Sequence, residues 1–293
     1  MSEQVLTAPL ARRAPVINTR GATLRAVYII WYRDVLRFWR DRMRVATSFA
    51  MPVLYLVVFG TGLGSSLRGA SGAFGSSSID YQQFIFPGII GMSVLFSSIF
   101  SAMSIVWDRE FGFLKEVLVA PINRAAVAIG KTLGGATQAL VQGVILLIFA
   151  PVVGVKLTVV SVLELIPLIF VLAFALSALG VAIGARMRSL QGFNMVTQFI
   201  IMPMFFLAGA LFPLQGLPAW MTVLTRLDPV SYGVDPLRRT VLGAAGLPAP
   251  VSDKVVGLTL FNQTLAVWAE EALLVGFGLV MLAVAIRSFR QRD

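Results

Sequence analysis

Six stretches of this chain are each long and apolar enough to cross a lipid bilayer, and this limits the fold more than any other feature. A hydrocarbon core about 30 Å thick takes about 20 apolar residues of helix. The stretches cover residues 45–63, 85–106, 132–153, 161–185, 194–212 and 265–286. They are rich in Leu, Gly and Ala and lack period-2 alternation, so they read as helices rather than barrel strands. Hydrophobic residues make up 57 % of the chain and charged residues 13 %, against about 45–50 % and about 25 % in a soluble domain. That excludes a water-soluble globule and a disordered chain. The expected fold is an all-α integral membrane protein with six transmembrane helices.

Basic residues set the orientation. With the N-terminus cytoplasmic, 18 of the 24 Lys and Arg fall in inside segments and 6 outside, so both termini are expected in the cytoplasm. Residues 1–20 carry Pro9, Arg12, Arg13 and Pro15 without an apolar run. They read as a disordered tail rather than a cleavable signal. Residues 1–23 and 287–293 are therefore expected as cytoplasmic tails, with the transmembrane domain at 45–286.

The segments between spans carry the more specific signals. Leu24, Val27, Tyr28, Trp31, Val35 and Phe38 follow helical spacing, with Arg25, Arg33, Arg37, Arg40 and Arg44 on the other side. Residues 24–44 thus read as an amphipathic interfacial helix, aromatics in the headgroup boundary and arginines toward lipid phosphate. It serves as a membrane anchor or also meets a cytoplasmic partner. Between the second and third spans, Asp108, Arg109, Glu110, Phe111, Leu114, Glu116 and Leu118 lie on a short helix that Pro121 ends. This is a solvated loop helix or a knob for a soluble partner. After the fifth span, residues 213–232 are apolar but broken by prolines, and they read as short re-entrant or interfacial helices. Glu270 and Glu271 lie inside the sixth span, where acids face protein, water or a basic partner such as Arg226, Arg238 or Arg239.

Several chemistries are excluded. The chain has no His and no Cys, so it offers no imidazole base, thiolate or ordinary zinc site. Gly130-Lys131-Thr132 resembles the end of a phosphate-binding loop, but Ala125 stands where that motif needs Gly and no strand precedes it. Lys131 is expected to snorkel at a helix end. The net charge of +10 points to anionic lipid, not nucleic acid, because the arginines cluster beside spans.

The order of these parts resembles the membrane subunits of ABC type-2 exporters, in the branch with daunorubicin-resistance and nodulation-polysaccharide export permeases. FWRDRMRVATSFAMPVLYLVVFG (38–60), WDREFGFLKEVLVAPINR (107–124), NMVTQFIIMPMFFLAGALFPL (194–214) and LPAWMTVLTRLDPVSYGVDPLRR (217–239) carry the likeness. The resemblance implies a half-transporter in a bacterial-type cytoplasmic (inner) membrane. It would pair with a second copy or a sister chain and with two ATP-binding cassette subunits. Residues 108–120 become the cytoplasmic coupling helix, with Glu110 the family-like acid, and 24–44 the connecting helix, with Trp31, Arg33, Arg37, Phe38 and Arg40 in it. ATP and magnesium would sit in the partner, with no cofactor in this chain and no enzymatic activity of its own. The substrate would be amphiphilic: a drug, lipid or lipid-linked glycan.

Phe96 and Phe100, with Phe84, Phe86, Met92 and Met103, are candidates to line a lateral path. Glu270 and Glu271 mark a path or an interface. An ATP-independent transporter or channel is the alternative, although the spans carry no acid near the midplane. A membrane-embedded enzyme is disfavoured, since Glu270 and Glu271 are adjacent on a helix and point about 100° apart.

Overall fold

The computed structural model describes residues 19–63, 81–111, 123–212, 217–244, 259–260 and 263–291. Its elements are α1 (Thr19–Arg40), α2 (Arg42–Val57), α3 (Tyr81–Ser101), α4 (Met103–Glu110) and α5 (Arg124–Ile148). They continue with α6 (Val159–Gly184), α7 (Leu190–Leu207), α8 (Ala219–Leu227), α9 (Pro229–Ala244) and α10 (Val267–Arg290). β1 (Thr259–Leu260) and β2 (Gln263–Thr264) form an antiparallel pair of two residues each, the one pair of strands among the described residues.

Five helices are long and apolar enough to span a membrane: Tyr81–Glu110 (α3 with α4), α5, α6, α7 and α10. The stretch expected as the first span differs. Its apolar helical part is shorter, Val45–Val57, and a π-helical turn at Val58–Leu63 carries it on. Pro52 removes one ladder N–H inside α2, and Gly60 and Gly62 have low helix propensity.

At 1.5 Å per residue the 30 residues of Tyr81–Glu110 reach about 45 Å. That exceeds a hydrocarbon core of about 30 Å. α3, α5 and α6 pack together at the centre, α1 lies along α5, α2 beside α3, and α10 along α6. One end of the core gathers Phe84, Ile89, Leu95, Ile169 and Leu172 with Val234 and Leu237 of α9. The other gathers Ile30, Ile105, Val106, Val127 and Phe193 with Phe289.

The apolar segment after the fifth span forms two helices, of which α9 runs past the expected limit at 232 to Ala244. Val230, Val234, Leu237 and Val241 make its buried stripe at helical spacing. The charges of Asp235, Arg238 and Arg239 interrupt that stripe in the sequence and mask it. Glycine lets α9 in: a Cβ on Gly91 would strike Val234, and one on Gly233 would lie 2.5 Å from Leu172 Cδ1. α10 begins at Val267, so Glu270 stands in its first turn.

Candidate functional site

The site begins with the stripe that α1 turns toward α5. Ile30, Asp34 and Phe38, spaced by four, are its buried members. Opposite them α5 presents Gly130 and Gly134. A Cβ on Gly130 would lie 2.9 Å from Ile30 Cβ, and one on Gly134 would lie 3.1 Å from Asp34 Cβ. Small residues at this seam let the two backbones approach closely. Trp31 Nε1 donates to Thr137 Oγ1 at 2.9 Å, and Gln138 Nε2 donates to the Asp34 carbonyl at 3.3 Å. Trp31 and Phe38 are therefore held against protein rather than in the headgroup boundary. The apolar residues that α1 leaves exposed are Leu24, Tyr28, Ile29, Tyr32 and Trp39.

A buried ionic network crosses this seam. Lys131 Nζ reaches Asp34 Oδ1 at 3.1 Å, Asp108 Oδ2 at 3.2 Å and Ser104 Oγ at 3.0 Å. Its side chain is 3 % exposed, so Lys131 does not snorkel: it lies in the second turn of α5, roofed by α1 and α4. Arg33 meets Asp108 Oδ2 at 3.1 Å and Asp34 at 3.7 Å, and Arg37 meets Asp108 Oδ1 at 3.5 Å. These two arginines thus turn to Asp108 and not to lipid phosphate, while Arg40 stays exposed. Burying an ammonium and two carboxylates without partners would be prohibitive; each here has an opposite charge and a hydrogen bond. The network joins α1, the end of α4 and the start of α5 at one point.

The last residues of α4 grip a second place. Arg109 donates through Nη1 to the Met187 carbonyl and through Nη2 to the Ala185 carbonyl at 3.1 Å. Glu110 Oε2 accepts from the Leu190 N–H at 3.0 Å. A helix end leaves its last carbonyls and first N–H groups without intrahelical partners. Arg109 serves the C-terminus of α6 and Glu110 the N-terminus of α7, each with the sign that the helix dipole favours. Arg124 donates to the Phe289 carbonyl at 3.1 Å and Arg186 Nε to Ser288 Oγ at 3.2 Å, which ties the end of α10 to the same layer. Beyond the grip, Trp107 and Phe111 are exposed with ring centroids 5.0 Å apart. Leu114, Glu116 and Leu118 lie outside the described residues.

At the opposite end, α9 is bolted down by two arginines. Arg238, 2 % exposed, donates Nε to the Phe84 carbonyl at 3.1 Å and Nη2 to the Gly209 and Ala210 carbonyls at 2.7 and 3.2 Å. Its guanidinium lies 4.0 Å from the Phe84 ring centre. Gly209, at φ 64°, makes the left-handed turn that exposes those carbonyls. Arg239 Nη2 bridges Asp235 at 2.6 Å and Glu270 at 3.1 Å, and its Nη1 donates to the Leu265 carbonyl at 2.7 Å. Glu270 thus joins α10 to α9, whereas the buried oxygens of Glu271 accept no bond among the described residues.

A cavity of about 360 Å³ opens between α1, α2, α3 and α5. Phe96, Phe100 and Met92 line it together with Phe38, Met51, Tyr55, Gln138 and Gln142. Phe84 and Phe86 do not: they are wholly buried in the core. Met103 packs at the other core end. Sequence reasoning missed Asp34, and it reads Gln138 and Gln142 only as polar groups within a span. The one available signal for Asp34 was an acid placed on the same helical row as Ile30 and Phe38.

Residues 25–242 match the ABC-2 type transporter family, from α1 to the end of α9. The chain belongs to the ABC-2 type transporter family. It is a multi-pass membrane component of an ABC transporter, which implies an ATP-binding cassette subunit as partner. The permease is 27 % identical over 251 residues to the inner membrane transport permease YadH of Escherichia coli K12, covering 83 % of this chain and 93 % of that one. It is 26 % identical over 217 residues to nodulation protein J of Rhizobium leguminosarum bv. viciae, covering 73 % and 81 %. It is 25 % identical over 218 residues to nodulation protein J of Rhizobium meliloti, covering 73 % and 80 %.

Proposed function

We propose that this permease forms the six-span half of an ATP-driven exporter in an inner membrane, both termini cytoplasmic. It pairs with a second permease chain and moves an amphiphilic substrate outward. Residues 108–120 act as the coupling helix, seated on a separate ATP-binding subunit that holds ATP and magnesium, and α1 acts as the connecting helix. α2 with its π-helical turn is the first of the six spans, α9 is the re-entrant helix, and anionic lipid bathes the exposed arginines of α1.

One observation carries this reading: Asp108, the first residue of the coupling segment, is the hub at which α1, α4 and α5 share a buried ion network. A push on 108–120 therefore reaches three elements at once, and Arg109 and Glu110 pass it to α6 and α7. Rigid-body displacement of this kind is how closure of two soluble subunits becomes motion in spans. The exposed Trp107 and Phe111 offer rings at the place where a soluble partner would seat.

Two experiments test the reading. Gentle purification from native membranes should recover an ATP-binding subunit in stoichiometric amount, with ATP turnover in the eluate. Glu110→Lys puts a cation against the positive N-terminal end of α7 and should abolish ATP-dependent export while the chain still inserts. Recovery of a lone chain without ATP turnover, or full export by the variant, would overturn it.

A further inference from the structure

We infer that the rod Tyr81–Glu110 carries a two-state joint at Ser101–Ala102, on which α4 swings against α3, and that the buried ion network latches its bent state through Ser104. This rests on the coupling reading of 108–120 and names the place where a push on that segment enters the core.

The joint is built from exchanged hydrogen bonds. In a regular α-helix the Ala102 N–H would bond the Ser98 carbonyl, and the Ile105 N–H the Ser101 carbonyl. Here each N–H stops one residue short. Ala102 donates to the Ile99 carbonyl at 3.2 Å and Ile105 to the Ala102 carbonyl at 3.0 Å. Serine hydroxyls take the two carbonyls so released: Ser101 Oγ donates to that of Ser98 at 2.7 Å, and Ser104 Oγ to that of Ser101 at 2.9 Å. Ala102 stands at φ −71° and ψ −12°, short of the helical ψ of about −42°. Closure over three residues inside a long helix, and hydroxyls bonded back onto its carbonyls, both bend it. Each of these N–H groups and carbonyls has a partner in the bent form and in the regular one, so the two forms lie close in free energy.

The neighbours fit the bend and supply its alternative. α6 lays Gly180 and Gly184 against it: a Cβ on the first would lie 2.9 Å from Ile99 Cα, and one on the second 3.1 Å from the Ala102 carbonyl oxygen. Lys131 Nζ donates to Ser104 Oγ at 3.0 Å. An ammonium only donates, so the hydroxyl proton of Ser104 is left for the Ser101 carbonyl, and the ion network holds the bend. On the α5 side, a Cβ on Gly135 would strike Ser101 Oγ and lie 2.9 Å from Ser177 Oγ, so both hydroxyls face one bare stretch of backbone. Ser177 is wholly buried, and its hydroxyl makes no hydrogen bond among the described residues. A regular ladder gives the Ser98 carbonyl back to Ala102 and frees the Ser101 hydroxyl, for which Ser177 is the waiting partner; an unmade buried bond is costly, and this state makes it. Asp108, Arg109 and Glu110 all lie on α4 beyond the joint, so they move as a unit while α3 stays packed.

The test uses the full chain in nanodiscs, diluted with unlabelled chain, with spin labels on Phe111→Cys past α4 and Leu279→Cys on α10. Both positions are exposed, and the chain has no native Cys. Double electron–electron resonance should resolve two distances. Ser104→Ala removes a bond made only in the bent state and should shift the ratio of the two populations about tenfold toward the other, the worth of one good hydrogen bond. Ser177→Ala removes the partner of the second state and should shift the ratio the opposite way. Ser98→Ala, whose hydroxyl donates to the Ala173 carbonyl on α6 at 3.3 Å, should leave it unchanged. A single distance in every background, shifts of the same sign from Ser104→Ala and Ser177→Ala, or an equal shift from Ser98→Ala would overturn the joint. Two populations that obey these signs, in a chain that copurifies with no ATP-binding subunit, would instead sink the coupling reading and leave the joint standing.

Discussion

Replacing Lys131 with Met should undock α1 from α5 without unfolding the permease. Met keeps the length and apolar stem of the lysine and removes the charge that Asp34 and Asp108 share at 3.1 and 3.2 Å. Removing one partner of a buried pair costs about 3–5 kcal/mol, because the other charge stays buried. Arg33 remains 3.7 Å from Asp34, and Asp108 keeps Arg33 and Arg37, so the lower end, about 3 kcal/mol, applies. At about 1.4 kcal/mol per tenfold, the undocked population should rise roughly 100- to 200-fold. The chain has no native Cys, so Ile30→Cys gives a single thiol on the buried seam, at a position 8 % exposed. Its maleimide labelling rate reports the open population when opening is fast relative to labelling. A control thiol from Leu172→Cys, in the core on α6, should stay protected. Adding Asp34→Asn to Lys131→Met should restore most of the protection at Ile30→Cys. A rise under about threefold at that position, or an equal rise at Leu172→Cys, would refute the reasoning.

Other outcomes follow from the packing. Gly130→Leu would drive a side chain into Ile30, where even a Cβ lies at 2.9 Å; overpacking of about 1–3 kcal/mol should raise labelling at the same seam with the ion network intact. Arg238→Met removes three charge-assisted bonds to carbonyls and leaves those of Gly209 and Ala210 short of donors. At about 1.5–3 kcal/mol for a bond to a charged group, α9 should become the first site cut in limited proteolysis of detergent-solubilised protein. Arg239→Met should open the start of α10 around Leu265–Glu270 to cleavage in the same assay, because its tie to α9 is gone.

Hydropathy made the long helices legible, because length and apolar content are one-dimensional properties that burial in lipid imposes directly. The amphipathic character of 24–44 was legible for the same reason. What stayed hidden was which way its residues turn. Lipid and protein interior both accept aromatic side chains, so Trp31 and Phe38 could not be told from Tyr28 and Trp39, although the first pair faces α5 and the second is exposed. Arg33 and Arg37 looked like phosphate ligands because their partner Asp108 lies more than seventy residues away in the chain. Lys131 near a span end reads as snorkelling until α1 is seen to roof it. The stretch expected as the first span is regular apolar helix only over Val45–Val57: composition does not reveal the π-helical turn that follows Pro52 at Val58–Leu63.

The order of synthesis gives the ion network a direction in time. α1 emerges first and can rest in the headgroup region with Asp34 wet. Asp108 follows at the end of Tyr81–Glu110, and Lys131 comes last, with α5. A lysine costs up to about 2.5–3.5 kcal/mol at the centre of an inserting helix and less toward its end, and for Lys131, in the second turn of α5, the acids that quench it have already been made. Insertion of the second long apolar helix is thus completed by segments translated before it, and a truncated chain ending ahead of Lys131 would leave Asp34 with Arg33 alone, 3.7 Å away, and Asp108 with the two arginines of α1.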